Sequence, residues 1–422
     1  MGKQIRYEVL KVTKYYQEIL DYFEPVENHP LLDSVNYSRE RWEDYLSFRT
    51  DAYAFSFDEN NKVKRTIDFF SVENHALFDN NLDLINDFVE KSAFRQFYDQ
   101  HKDFYNYIIR NYRDYYFVDK AFQFLDNCIG KSQNLKNDLR YVIVLSPLVN
   151  RMNCHRDIDE STVADFPSAT PDFLNDINNG NLISRLNGNH MLFTEMDHGY
   201  INPISDKYSQ LISENFENKI WDNNSGYEGI NVFNEYMTWA IYDLFICENY
   251  PEAGDSIILS WQYQNASRGF YAQNIFSEKV AELYNKKGNK NFESIYEPLL
   301  KWCKVIENKI SLPTLINNDS ENFVKTDLDN IQLTFSEKMN TKQPFCIQVV
   351  KYNNIDKIEH NEFIEIADFN WSNDGKTVNF KLDAETEYDR FALIFNWWGN
   401  NKPLLSANGI FLRPRSYVLL RK

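Results

Sequence analysis

Apolar residues recur at helical spacing over 6–57 and 81–126. Val9, Val12, Tyr16 and Ile19 form one such set; Leu84, Phe88 and Val89 belong to another. A period of three to four with polar residues between predicts amphipathic helices, here rich in Tyr and Phe. The pattern breaks at Tyr141-Val142-Ile143-Val144-Leu145, a short β-branched run stopped by Ser146-Pro147, which predicts a buried strand and a turn. Residues 159–189 are polar and Asn-rich, and predict a connection with one helix near 171–177. Helical patterns return at 190–198, 234–249 and 276–310.

The texture changes at Ser311. A stretch of Asn, Asp and Ser runs to Thr326 and predicts a linker. Short alternating segments follow at 331–335, 345–350, 378–382 and 391–395. Turn signals separate them, Asn373-Asp374-Gly375 and Gly399-Asn400-Asn401 among them, and the spacing predicts a β-sandwich. The expected class is α+β: a mainly helical domain at 1–310, a linker at 311–326 and a small all-β domain at 327–422.

The chain has 422 residues, so the length prior is about two to three domains. With 45 basic against 62 acidic residues the net charge is −17, which argues against nucleic acid or an anionic membrane as partner. The longest apolar run is far too short for a bilayer-spanning helix. Five cysteines, with no C-x-x-C pair, read as separate thiols and give neither a disulfide framework nor a Cys-rich zinc site. No apolar leader is visible at the start, so the expected location is cytoplasmic, or exported if a signal peptide preceded this sequence. The sequence does not fix an oligomeric state.

Chemistry concentrates in Thr194-Glu195-Met196-Asp197-His198, followed by Asn202-Pro203. Glu195 and His198 are three apart, so a helix places both on one face. This is H-E-x-x-H with Thr194 at its first position. In that motif two imidazoles hold zinc and the Glu serves as general base toward metal-bound water. A second segment, Asn234–Tyr242, is apolar on almost every face and carries Glu235, a carboxylate that burial makes costly unless it is paired or bound to a cation. His190 would sit about 12 Å from His198 on a continuous helix, too far to share one zinc. His155 reads as a loop residue, and His29, His75, His101 and His360 have no partner at ligand spacing. No G-x-S-x-G, phosphate loop or G-x-G-x-x-G occurs. The Trp397-Trp398 pair could stack on a sugar but reads as core.

Tyr141–Asn150, Thr194–Pro203 and Asn234–Tyr242 together resemble a bacterial family of zincin-like proteins of the gluzincin type, marked by H-E-x-x-H-x-x-x-N-P. The resemblance implies a metallopeptidase fold over most of 1–310, His198 and Glu235 as metal ligands, and Glu195 as catalytic base. Thr194 departs from the pattern at the first ligand position, so the zinc expected is weakly bound or absent, and peptide hydrolysis weak or absent. Leu333–Met339, an apolar strand ending in F-S-x-x-M, resembles the opening of bacterial Ig-like domains. The expected function is therefore a metallopeptidase-like protein with a degenerate zinc site. The alternative is a protein that holds a peptide or glycan without cutting it.

Overall fold

The computed structural model describes residues 9–71, 76–130, 140–150, 152–216, 220–221, 225–288, 291–316, 322–352, 358–382, 388–397 and 402–422. The fold is α+β, and the chain divides into two compact units, Met1–Tyr200 and Ile201–Lys422.

The first unit opens with helices α1 (Lys14–Phe23), α2 (Pro30–Ser34) and α3 (Trp42–Asp51) and a hairpin of β1 (Phe55–Phe57) and β2 (Val63–Arg65). Helices α4 (Leu82–Lys91), α5 (Phe94–Gln100), α6 (Lys102–Tyr115) and α7 (Val118–Cys128) follow, as the apolar period predicted. The Val-Ile run forms β3 (Arg140–Ile143). Next come β4 (His155–Asp159), β5 (Thr162–Asp165), α8 (Pro171–Asn175) and α9, which runs from Leu182 to Lys207.

Residues 159–189 are thus more ordered than the polar pattern suggested, and His155 lies on a strand, not a loop. Pairing explains the difference. β5 is central in its sheet, parallel to β3 and antiparallel to β4, so its backbone groups are taken up on both sides. The polar β4 is an edge strand, and Ile158 is its one fully buried side chain. Leu46, Ala54, Phe69, Ile158, Ala164 and Phe166 form the core beneath.

The second unit carries α10 (Ser209–Asn215), α11 (Ile230–Asn249), α12 (Pro251–Ala266), α13 (Gln273–Lys286) and α14 (Tyr296–Ile306). Helix α11 is buried on nearly every face, as its all-round apolar sequence requires. Phe216, Trp221, Phe233, Tyr236 and Phe276 meet edge to face around it.

The β-portion of this unit begins with β6 (Val324–Lys325), β7 (Ile331–Thr334), β8 (Phe345–Tyr352), β9 (Ile358–Ile366) and β10 (Phe369–Trp371). It ends with β11 (Thr377–Phe380), β12 (Arg390–Phe395) and β13 (Ser416–Arg421). They form a three-stranded sheet, β10-β11-β7, and a five-stranded one, β6-β13-β12-β8-β9. Leu333, Ile347, Val378, Phe391, Leu393 and Leu420 from both sheets share one core. The turn at Asn373-Asp374-Gly375 closes as expected: Gly375 takes φ +69° and Asp374 accepts the Lys376 amide at 3.0 Å. The Gly399–Asn401 turn signal and Trp398 lie outside the described residues.

The stretch expected as a linker is attached at its ends. The Ile316 amide donates to Thr334 at 2.8 Å, Thr326 donates to Arg421 at 2.8 Å, and β6 pairs with β13; 317–321 lie outside the described residues. Asn396, fully buried at φ +49°, holds the far end of the β-portion together. Its amide accepts from Leu404 at 2.7 Å and donates to the carbonyls of Leu404 and Leu412.

Candidate functional site

Helix α9 presents the E-x-x-H segment, and its setting within the first unit is specified by backbone contacts to α6. Asn181 caps it, its side chain accepting from the Ser184 amide at 2.9 Å. Arg185 Nε donates to the Tyr115 carbonyl at 2.8 Å, and Asn189 donates to that of Tyr116 at 2.6 Å. Both carbonyls lie at the C-terminal end of α6, where no helical donor remains for them. Gly188 permits this approach: a Cβ there would sit 2.0 Å from Cε1 of Tyr116, whose ring is fully buried.

The Met191–Glu195 face of the helix lies toward the β4–β5 strands. Ser168, just past β5, donates to Met191 Sδ at 3.1 Å. One turn on, Glu195 lies within electrostatic reach of Asp165 on β5 and of Cys154 at the start of β4. Glu195 and His198 are both half-buried.

Asp165 is fully buried and pairs across the sheet with His155, whose Nδ1 is 2.8 Å from Asp165 Oδ1. Burial first, and then the Glu195 charge, push the Asp165 carboxyl well above the usual carboxylate range. A bare carboxylate is disfavoured there, and the His155 ring is the hydrogen-bond partner that meets it. His155 Nε2 faces Asp157 at 3.6 Å, and the ring holds the Asp157 carboxyl below its ordinary value. Burial, reinforced by Glu195, also raises the Cys154 thiol, while Arg156 and Arg49 oppose the rise. Neither His155 as a paired strand residue nor Asp165 was found from sequence. The only local signal was the Val163-Ala164 pair inside Thr162–Asp165, buried throughout and too short to stand out in a polar stretch.

Thr194, at the first ligand position, is buried, and its hydroxyl donates to the His190 carbonyl at 3.1 Å. Such back-bonding is the ordinary use of a mid-helix Thr. A neutral hydroxyl committed to the backbone does not fit a zinc that takes three protein ligands. His190 is buried on the same continuous helix as His198, eight positions away, so one zinc does not take both. Glu235 is half-buried on α11 in the second unit, beside fully buried Tyr236. Among the described residues no group of three or more His, Cys, Asp or Glu side chains is arranged around a metal position. His29 pairs with Asp87 at 2.9 Å and His101 with Glu18 at 3.1 Å, both structural contacts. None of the five cysteines is in a disulfide. No helix among the described residues is long and apolar enough to cross a membrane.

No protein-family model matches the chain, and no curated protein matches it. Among solved structures it is similar to the S-layer protein SbsC. One SbsC structure aligns at 11% identity and TM-score 0.20 over 56% of this chain and 29% of that one. The N-terminal part of the bacterial S-layer protein SbsC aligns at 11% identity and TM-score 0.20 over 54% of this chain and 57% of that one. The chain thus spans less than two thirds of either.

Proposed function

We propose that this chain is a metallopeptidase-like protein whose zinc site is degenerate and whose peptide hydrolysis is weak or absent. The observation that carries the reading is Thr194. It stands where the zincin motif places its first imidazole, its hydroxyl bound to its own helix, while Glu195 one position on keeps the place of the base. The short sheet with an antiparallel edge strand beside the E-x-x-H helix supports the zincin-like reading of the first unit. The resemblance leaves His198 and Glu235 to a metal, which is one protein ligand fewer than catalytic zinc sites use. The two-sheet arrangement of the C-terminal segment supports an Ig-like reading of 327–422.

Without the metal, Glu195 has no activated water to deprotonate. What remains is a half-buried carboxylate facing a His155–Asp165 pair, which can position a polar group of a bound peptide or glycan without breaking a bond. The test is a fluorogenic peptide-library assay with and without added zinc, on wild type and Glu195→Gln. The reading expects no difference between the two proteins. Zinc-dependent turnover that Glu195→Gln abolishes would establish an active peptidase instead.

A further inference from the structure

Apart from the E-x-x-H face, the first unit contains a pocket of about 460 Å³. Its walls are apolar and aromatic, Tyr45, Phe48, Tyr53, Val144, Leu148 and Phe166 among them, and Arg49 is their one charged member among the described residues. That volume falls within the roughly 300–1,000 Å³ of small-molecule sites, which are typically apolar with a few placed polar groups.

Arg49 is the unusual feature. Its Nη2 donates to two neutral acceptors, the Met152 carbonyl and, at 3.7 Å, Cys154 Sγ. Its Nε is buried with no hydrogen-bond partner, and among the described residues no carboxylate pairs with the guanidinium. In a chain with 62 acidic and 45 basic residues, acidic partners for a cation are plentiful. A partly buried guanidinium without a counter-ion is costly unless an anion arrives to meet it. With Nη2 pinned and Nε buried, Nη1 is the donor left to meet a carboxylate.

We infer that this pocket binds a monocarboxylate with an apolar body, the carboxylate meeting Arg49 and the body lying against Phe48, Tyr53 and Phe166. Two sources share that chemistry: a free medium-chain carboxylic acid, and the C-terminus of a peptide ending in a large apolar residue. Neither needs a metal or a hydrolytic step, so the inference stands apart from the proposed function.

Calorimetry on the full chain tests it with four probes: decanoate, decanol, an acetylated tetrapeptide ending in Leu-Phe with a free carboxylate, and its C-terminal amide. At least one carboxylate should bind about tenfold or more tighter than its neutral counterpart. Arg49→Met should erase that preference, and Arg49→Lys should keep part of it. Preference for decanoate alone identifies a small amphiphile as the ligand; preference for the peptide alone identifies a chain terminus. If Arg49→Met fails to fold, Ala52→Trp narrows the exposed rim of the pocket without touching the guanidinium and should weaken the same binding. No preference for either carboxylate, or equal binding by folded Arg49→Met, overturns the inference.

Discussion

His155 Nδ1 lies 2.8 Å from Asp165 Oδ1, and the carboxyl it meets has no solvent exposure at all. The cross-strand register of β4 and β5 puts the two directly opposite each other. Asp165 is a carboxyl whose folded-state value is raised, so the stability it allows is present at low pH and lost as pH rises. Asp165→Asn cannot ionise and should lose none. Thermal melts should therefore show the variant gaining on wild type as pH climbs above the ordinary carboxylate range. Glu195→Gln removes the second cause of the shift and should show a smaller gain of the same sign. Parallel curves for all three proteins would contradict the burial argument.

The approach of α9 to α6 rests on Gly188, where a Cβ would meet the buried Tyr116 ring at 2.0 Å. The ring is also held by Thr170, 2.9 Å from its hydroxyl, so it cannot swing aside freely. Gly188→Ala should cost about 1–3 kcal/mol, the usual range for overpacking, despite the better helix propensity of Ala. Denaturant melts measure it. A stabilised variant would mean that α9 does not sit this close.

Asp243, buried on α11, accepts from Gln262 Nε2 at 2.9 Å, yet burial raises its carboxyl from 3.8 to about 7. Between those values the unfolded chain is ionised while the folded one keeps its proton. Folded stability should therefore fall as pH rises through this window and level off above about 7. The loss amounts to at most about 4 kcal/mol, three pKa units at 1.36 kcal/mol each. Asp243→Asn keeps an acceptor for Gln262 and should flatten that part of the stability–pH curve. An unchanged slope between pH 4 and 7 would show that Asp243 ionises in the fold at an ordinary value.

The parts of this fold legible in the sequence are those where packing sets the pattern. Helices α4, α6 and α7 bury one stripe each, and β7 and β11 alternate because one face lies on the core that the two sheets share. Strands β4 and β5 were not legible. His-Arg-Asp-Ile-Asp carries a single buried apolar side chain, and its strand conformation comes from pairing with β5, a non-local term that local pattern does not report. Helix α12 escaped for the opposite reason: its buried residues, Gly254, Gln262 and Asn265 among them, are not all apolar, which blurs the period. The E-x-x-H face was legible because it lies within four residues of one helix. Its neighbours Asp165 and His155 come from a segment some thirty residues upstream, and only the folded chain brings them together.

Thr194 stands where the first imidazole of the zinc site would be, and zinc calorimetry on wild type and Thr194→His measures its effect directly. Wild type should bind zinc weakly, because its hydroxyl is neutral and donates to the His190 carbonyl. The new imidazole would stand at i and i+4 with His198, the spacing from which zincins draw much of their affinity. The substitution should tighten zinc by at least about tenfold, or about 1.4 kcal/mol. Equal, weak binding by both proteins would contradict the claim that a zinc site was lost here by a single ligand.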